Sequence, residues 1–201
     1  MTNKRKNTDK IELGKGDALI VIDIQNDFLS GGSLAVPEGD QVIPVLNGYI
    51  DQFINRQLPV LVTRDWHPAN HCSFIRQGGP WPEHCIAGSK GAEFAADLHL
   101  PVSAKIFSKA TEAGQEDYSD FANPTFKEQL DNVEASRLFI GGLATDYCVL
   151  STVLDALNYH YKVLLLTDAI RAVNVRPQDG ENAINEMIQK GAIPITLAII
   201  R

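Results

Sequence analysis

The stretch from residue 137 to residue 157 restricts the fold more than any other part of this sequence. It opens with Leu138–Ile140, an apolar run short enough for a buried strand. Gly141–Gly142 follows, and glycine permits backbone conformations and close approaches that a Cβ forbids. Apolar residues then recur with the spacing of a helix, at Val149, Leu150, Val153, Leu154 and Leu157. The pattern predicts a strand, a tight turn and a helix, with Cys148 at the start of the helix.

The position of Cys148 suggests a nucleophile. Thr145 and Asp146 are residue types that cap helices, so the helix is expected to begin beside the thiol. The free N–H groups and partial positive charge of a helix terminus lower a thiol pKa and favour the thiolate. The same N–H groups can hold an oxyanion formed when a thiolate attacks a carbonyl. The alternative interpretation is a buried structural cysteine without a chemical role.

Other apolar runs alternate with helical patterns along the whole chain. Further strands are predicted at Ala18–Ile22, Pro59–Thr63, Pro101–Phe107, Val163–Thr167 and Ile193–Ile200, and helices near Asp40, at Pro124–Leu130 and at Gln178–Gln189. This alternation predicts the α/β class, as a single-domain three-layer αβα fold with an open, mainly parallel sheet. Such folds place their chemistry where strands end, and Asp23 directly follows the first predicted strand. A turn or capping role for Asp23 is the alternative.

Composition restricts the remaining classes of protein. Residues 1–14 are polar and predicted to form a flexible tail, which leaves residues 15–201 as one domain. A net charge of −7 without a basic motif argues against nucleic acid and anionic membranes as partners, and no apolar run is long enough to span a bilayer. Three cysteines and no secretory signal predict a cytoplasmic protein. Whether the chain forms a homo-oligomer is left open.

A cluster of metal-ligand residue types follows the second predicted strand. Asp65 and His67 are spaced to point to the same side of an extended segment, and His71 and His84 come shortly after. Two or three imidazoles with a carboxylate suit Zn²⁺, Fe²⁺ or Mn²⁺. Scattered surface histidines are the alternative. Lys109, at the end of the third predicted strand, reads by itself as an ordinary surface lysine.

Several motifs resemble, in the same order, those of nicotinamidases, a branch of the isochorismatase-like cysteine hydrolases. The resemblance begins near Ala18 and runs over essentially the whole remaining chain. It is carried by VIDIQNDFLSGGSLAV, TRDWHPANHCSF, WPEHC, the lysine of FSKATE, and GGLATDYCV. One departure is Ala110, which stands where a glycine often follows that lysine.

The resemblance implies a role for each matching residue. Cys148 would be the nucleophile of a Cys–Asp–Lys triad completed by Asp23 and Lys109. Leu143–Ala144 would be a cis peptide that directs the N–H groups of Ala144 and Cys148 at the oxyanion. The remaining roles are walls for the substrate ring at Phe28, Trp81 and Tyr118, and divalent metal ligands, commonly for Zn²⁺, at Asp65, His67 and His84, with His71 near a fourth ligand of some members.

The implied activity is hydrolysis of nicotinamide to nicotinate and ammonia through a cysteine thioester, in NAD salvage. Pyrazinamide-like analogues are the expected further substrates. Two alternatives stay open at this stage. One is a related amidohydrolase that acts on another small amide with the same triad, and the other is a catalytically silent metal-binding module on the same fold.

Overall fold

Residues 10–201 are described by a computed structural model, and they form one six-stranded sheet with helices on both faces. The strands are Asp17–Ile22 (β1), Val60–Asp65 (β2), Lys105–Lys109 (β3), Arg137–Leu143 (β4), Lys162–Arg171 (β5) and Ile193–Ile195 (β6). The helices are Val42–Ile54 (α1), Pro124–Asn132 (α2), Leu150–Asn158 (α3) and Asp179–Lys190 (α4). The predicted α/β class is therefore confirmed.

All strand pairs are parallel, in the order β3-β2-β1-β4-β5-β6. Successive residues of β1 face opposite sides, so Leu19 and Val21 join the core under α1, whereas Ile20 and Ile22 join the core under α2, α3 and α4. Both faces are covered, which explains the continuous apolar runs. The strand order reverses between β1 and β4, and ligands of such folds bind beyond the carboxyl ends of the strands at this point.

The third strand was predicted wrongly. It begins at Lys105, four residues after the predicted start, and continues to Lys109. The predicted start was wrong because Val102, before the strand, and Ile106, on this edge strand, are both exposed to solvent, so they give no sign of where burial begins. The pairing of β3 with β2 sets Asp65 beside Lys109. Lys109, expected at the end of this strand, is its last residue.

The last two strands also end at other residues than predicted. β5 extends past Thr167 to Arg171, and β6 ends at Ile195, before a short helical turn. The first nine residues of the predicted flexible tail lie outside the described residues. Within the rest of that tail, Ile11 forms a bridge with Ile200 and packs against the core. The domain boundary at residue 15 stays a prediction. Within the described range, no helix has the length and apolar character needed to cross a bilayer.

Candidate active site and metal centre

Cys148 lies on a wide helical turn between β4 and α3. The turn covers Thr145–Val149 and follows the Leu143–Ala144 peptide bond, which is cis as the resemblance predicted. Gly142 makes the approach possible, because its φ is +133° and an added Cβ would lie 2.1 Å from a backbone oxygen of the adjacent strand β1. The thiol is thereby brought over the end of β1.

The expected capping of this helix was wrong. Neither Thr145 nor Asp146 caps it, and the residue at the N-cap position is Ala144. The Asp146 carboxylate instead accepts hydrogen bonds from the backbone N–H groups of Val173 and Asn174, at 2.9 and 2.8 Å. Asp146 therefore connects the Cys148 turn to the segment after β5.

Asp23 and Lys109 come from different strands and meet beside Cys148. Asp23 follows β1 with a φ of +53°, and the ammonium of Lys109 donates a hydrogen bond to its carboxylate. The Thr63 hydroxyl donates a second hydrogen bond to Asp23, at 3.2 Å. The sulfur of Cys148 and carboxylate oxygens of Asp23 and Asp65 all lie within 4.8 Å of one another. The structure brings the three predicted triad residues into one buried cluster.

Burial dominates the electrostatics of the cluster. It raises the pKa of Asp23 to about 6, although the Lys109 ammonium opposes the shift. Burial also raises the pKa of the Cys148 thiol, and the carboxylates of Asp23 and Asp65 add to the increase while Lys109 opposes it. The expectation of a lowered thiol pKa was wrong for this arrangement, because burial of the thiol outweighs the effect of the nearby cation. Burial thus favours the neutral thiol at Cys148, with the Asp23 carboxylate beside it.

Asp65, His67 and His84 form a group suited to a divalent cation. Each offers a ligand atom, and these atoms lie within 4.8 Å of one another. The Nδ1 atoms of His67 and His84 bond to the carbonyl oxygens of Ala110 and Pro82, at 3.2 and 2.8 Å, which leaves each Nε2 for the centre of the group. His67 Nε2 is buried and has no hydrogen-bond partner among the described residues. An orphaned nitrogen that faces a carboxylate and a second imidazole fits a metal ion.

His71 stands beside this group without belonging to it. Its ring lies 4.2 Å from that of His67, measured between centroids. Its Nδ1 bonds to Ser73 Oγ at 2.7 Å and its Nε2 to the Gln115 carbonyl oxygen at 2.8 Å. Both ring nitrogens thus have protein partners. In this arrangement His71 supports the ring of His67, and its predicted role as a ligand stays a prediction.

A small pocket opens onto both Cys148 and the metal-ligand group. The three predicted wall residues line it, and the indole N–H of Trp81 donates a hydrogen bond to the Tyr118 hydroxyl at 3.0 Å. The complete lining is Phe28, Leu34, Asp65, Trp81, His84, Tyr118, Ala144, Tyr147, Cys148 and Val173. A pocket of mainly apolar walls with a few polar groups at one end suits a small aromatic ligand.

Comparisons with known proteins agree with this geometry. Residues 17–199 match the model of the isochorismatase domain. The chain belongs to the isochorismatase family. It is 42% identical over 202 residues to the nicotinamidase of Escherichia coli strain K12, covering 90% of this chain and 95% of that protein. Together with the buried cysteine site, this membership makes the protein an amidohydrolase.

Two solved structures extend the family comparison. The pyrazinamidase of Pyrococcus horikoshii in complex with zinc has a TM-score of 0.86 and 45% identity, covering 90% of this chain and 99% of that one. PnC1 from L. infantum in complex with nicotinate has a TM-score of 0.89 and 32% identity, covering 96% and 98%. The open parallel sheet is therefore the fold of the isochorismatase family.

Sequence reasoning missed several residues of this isochorismatase-family site. Gln25 is buried, and its amide nitrogen and oxygen bond to the backbone oxygen and nitrogen of Asp65, each at 2.8 Å. The position of Gln25 within the VIDIQND motif is the sequence signal that could have identified it as a residue of the site. Tyr147 and Val173 line the pocket, but only the fold brings Val173 near. Asp120 is a buried carboxylate beside Lys109, and nothing in its sequence surroundings marks it.

Proposed function

We propose that the protein hydrolyses nicotinamide to nicotinate and ammonia through a thioester at Cys148, as a step of cytoplasmic NAD salvage. The observation that carries this proposal is the convergence of Cys148, Asp23 and Lys109 at one end of an aromatic pocket. Relatives named as a nicotinamidase and a complex with nicotinate support the choice of substrate. The aromatic and apolar walls of the pocket suit a flat aromatic ring, with the carboxamide directed toward the sulfur.

The first half of the reaction forms the thioester. Asp23 accepts the thiol proton as Cys148 Sγ attacks the carboxamide carbon, and the backbone N–H groups of Ala144 and Cys148 receive the oxyanion. Asp23 then delivers the proton to the departing nitrogen, so the C–N bond breaks and ammonia leaves. A carboxylate with a pKa raised to about 6 suits both steps, because it accepts and returns a proton near neutral pH.

The second half restores the enzyme. Asp23 removes a proton from water, whose oxygen attacks the thioester carbon, and the C–S bond breaks to release nicotinate. The proton returns to the cysteine sulfur. Lys109 keeps a positive charge beside Asp23 throughout, because the surrounding carboxylates hold the pKa of its ammonium high in spite of burial.

The metal proposal concerns the orientation of the ring. Asp65, His67 and His84 are the residues that would hold a divalent cation, for which Zn²⁺ is the first candidate. Such an ion supplies a Lewis acid for the pyridine nitrogen, which orients the ring and withdraws electrons from the amide carbon. Phe28, Trp81 and Tyr118 would hold the faces and edge of the ring.

Ammonia release from nicotinamide tests the proposal. Cys148→Ala and Asp23→Asn are expected to lower kcat/KM by about a thousandfold or more, since a nucleophile or its base is lost. Cys72→Ala is the matched control, a partly exposed thiol outside the pocket that is expected to keep the parent rate. A parent protein that releases no ammonia from nicotinamide, or a Cys148→Ala variant as active as the parent, would contradict it.

A substrate panel and a trapping experiment separate the alternatives. Pyrazinamide and aliphatic amides distinguish a nicotinamidase from an amidohydrolase of another small amide. Hydroxylamine is expected to intercept the thioester and yield nicotinohydroxamate only when Cys148 is present. A protein that binds Zn²⁺ but turns over none of these amides would be the silent module instead.

A further inference from the structure

Asp120 is a third carboxylate at the Lys109 ammonium, and the proposed reaction does not use it. It lies on the short turn Asp120–Ala122, just after the pocket residue Tyr118, and its residue surface is 1% exposed. Its Oδ1 is 3.5 Å from Lys109 Nζ. Neither carboxylate oxygen has a hydrogen-bond partner among the described residues.

The backbone of this segment is held independently of the Asp120 carboxylate. The N–H of Asp120 donates a hydrogen bond to Thr152 Oγ1 on α3, at 3.1 Å, and Thr152 is fully buried. Ser119 accepts a further hydrogen bond from the N–H of Phe121. The segment therefore keeps its place through these bonds. The only oppositely charged group recorded beside the Asp120 side chain is the Lys109 ammonium.

A buried carboxylate without hydrogen bonds destabilises a protein, so its presence calls for an explanation. Burial raises the pKa of Asp120 to about 7, although Lys109 opposes the shift. Above that pH, three carboxylates surround one ammonium, since Asp23 and Asp65 Oδ1 (3.1 Å) also contact Lys109. Asp120 therefore acts on this ammonium through its charge at 3.5 Å, as an ion pair without a hydrogen bond.

The proposed reaction suggests why a third carboxylate lies beside the Lys109 ammonium. Asp23 is negative at rest and neutral after it accepts the thiol proton, so its attraction for Lys109 weakens within each cycle. Without Asp120, Asp65 would then be the only charged carboxylate in contact with the ammonium, which would turn toward it. We propose that Asp120 is a positioning residue, whose carboxylate holds the Lys109 ammonium beside Asp23 while the charge of Asp23 changes. This inference rests on the proposed function of the same site.

Asp120→Asn is the decisive variant, because it keeps the shape of the side chain and removes its charge. At pH 8 we expect kcat for nicotinamide to fall about 10- to 100-fold, with KM within threefold of the parent value. The melting temperature should stay the same or rise, because a poorly solvated charge has been removed. A residue with a merely structural role would give the opposite pattern, in which stability falls and KM rises with it.

Two control variants separate the effect of the Asp120 charge from effects on the fold and on surface charge. Thr152→Val removes the hydrogen bond that holds the Asp120 backbone and leaves every charge in place. It should therefore lower the melting temperature and change kcat little. Asp131→Asn breaks an exposed carboxylate–lysine pair with Lys127, at 2.8 Å, and should change neither quantity. A kcat for Asp120→Asn within threefold of the parent, a larger change in KM, or a fall in melting temperature like that of Thr152→Val would each overturn the proposal.

Failure of the proposed function is recognised separately. If the proposed function is wrong, the parent protein releases no ammonia from nicotinamide. The Asp120 proposal depends instead on the ratio of kcat between the Asp120→Asn variant and the parent. The melting temperature requires no substrate, so a clear fall for Asp120→Asn overturns the positioning role even in that case. With an active parent, the kinetic ratio and the stability together decide for or against it.

Discussion

The ammonium of Lys109 is hydrogen-bonded to the carboxylate of Asp23, although 86 residues separate the two along the chain. Parallel pairing produces this contact, because β1 pairs with β2, β2 pairs with β3, and the polar residues at the three carboxyl ends are brought to one edge. Cys148 reaches the same edge from β4, on the other side of β1. The chemistry of the site is thus assembled by the order of the strands.

Lys109→Met should abolish turnover and weaken the fold. It leaves the carboxylates of Asp23, Asp65 and Asp120 buried without a cation, and removing one partner of a buried charge cluster typically costs about 3–5 kcal/mol. We expect kcat to fall at least about a hundredfold. Lys105→Met, an exposed lysine on the same strand, should change neither kcat nor the free energy of unfolding in urea. Parent-like turnover by Lys109→Met would remove Lys109 from the catalytic cluster.

Metal content distinguishes the three proposed ligands from His71. After loading with Zn²⁺ and dialysis, we expect about one bound ion in the parent and a large loss in His67→Ala, since that variant removes one of three ligands. His71→Ala should retain the ion, because both nitrogens of that ring are bonded to Ser73 and Gln115. His99→Ala is the exposed control. Elemental analysis measures the bound zinc, and loss of the ion from His71→Ala would contradict this expectation.

Tyr118→Phe should weaken substrate binding more than the chemical step. The change removes the acceptor of the Trp81 indole N–H, which loosens one wall of the pocket. A hydrogen bond of this kind contributes about 1 kcal/mol, so KM should rise about fivefold with kcat little changed. Tyr159→Phe, at an exposed tyrosine, provides the control in the same kinetic assay. A drop in kcat at constant KM would instead give the Tyr118 hydroxyl a part in the reaction.

The stability of Asp120→Asn relative to the parent should increase with pH. In the folded protein, burial raises the pKa of Asp120 to about 7, against the pull of Lys109 and with a further increase from Asp23. The folded state therefore binds this proton more tightly than the unfolded chain, and the parent loses stability as pH rises from about 4 to 7. The asparagine variant lacks this loss. Urea unfolding at pH 5 and pH 8 measures the difference, and an advantage of the variant that shrinks at the higher pH would contradict the assigned environment of Asp120.

The elements were predictable wherever burial on both faces of the sheet left a continuous apolar run, as at β1, β2 and β4. Prediction failed at the start of β3, because an edge strand buries little, and the apolar Val102 before it and Ile106 within it are both exposed. It failed again at Thr145 and Asp146, whose capping chemistry is overridden by the wide turn and by the backbone N–H groups that Asp146 binds instead.

By itself, the sequence determined which residue types stand at the ends of the strands, because apolar runs and the motifs that follow them are local properties. It therefore marked Asp23, Asp65 and Cys148 as polar or reactive groups at or just beyond the ends of strands in a parallel α/β fold. Only the tertiary structure decided how these groups affect one another. Burial raises the pKa of the Cys148 thiol, which the helix terminus alone would lower. The packing of the chain places Asp120 beside Lys109 as an additional carboxylate. Desolvation and distance depend on the packing of segments far apart in the chain, and no local pattern records them.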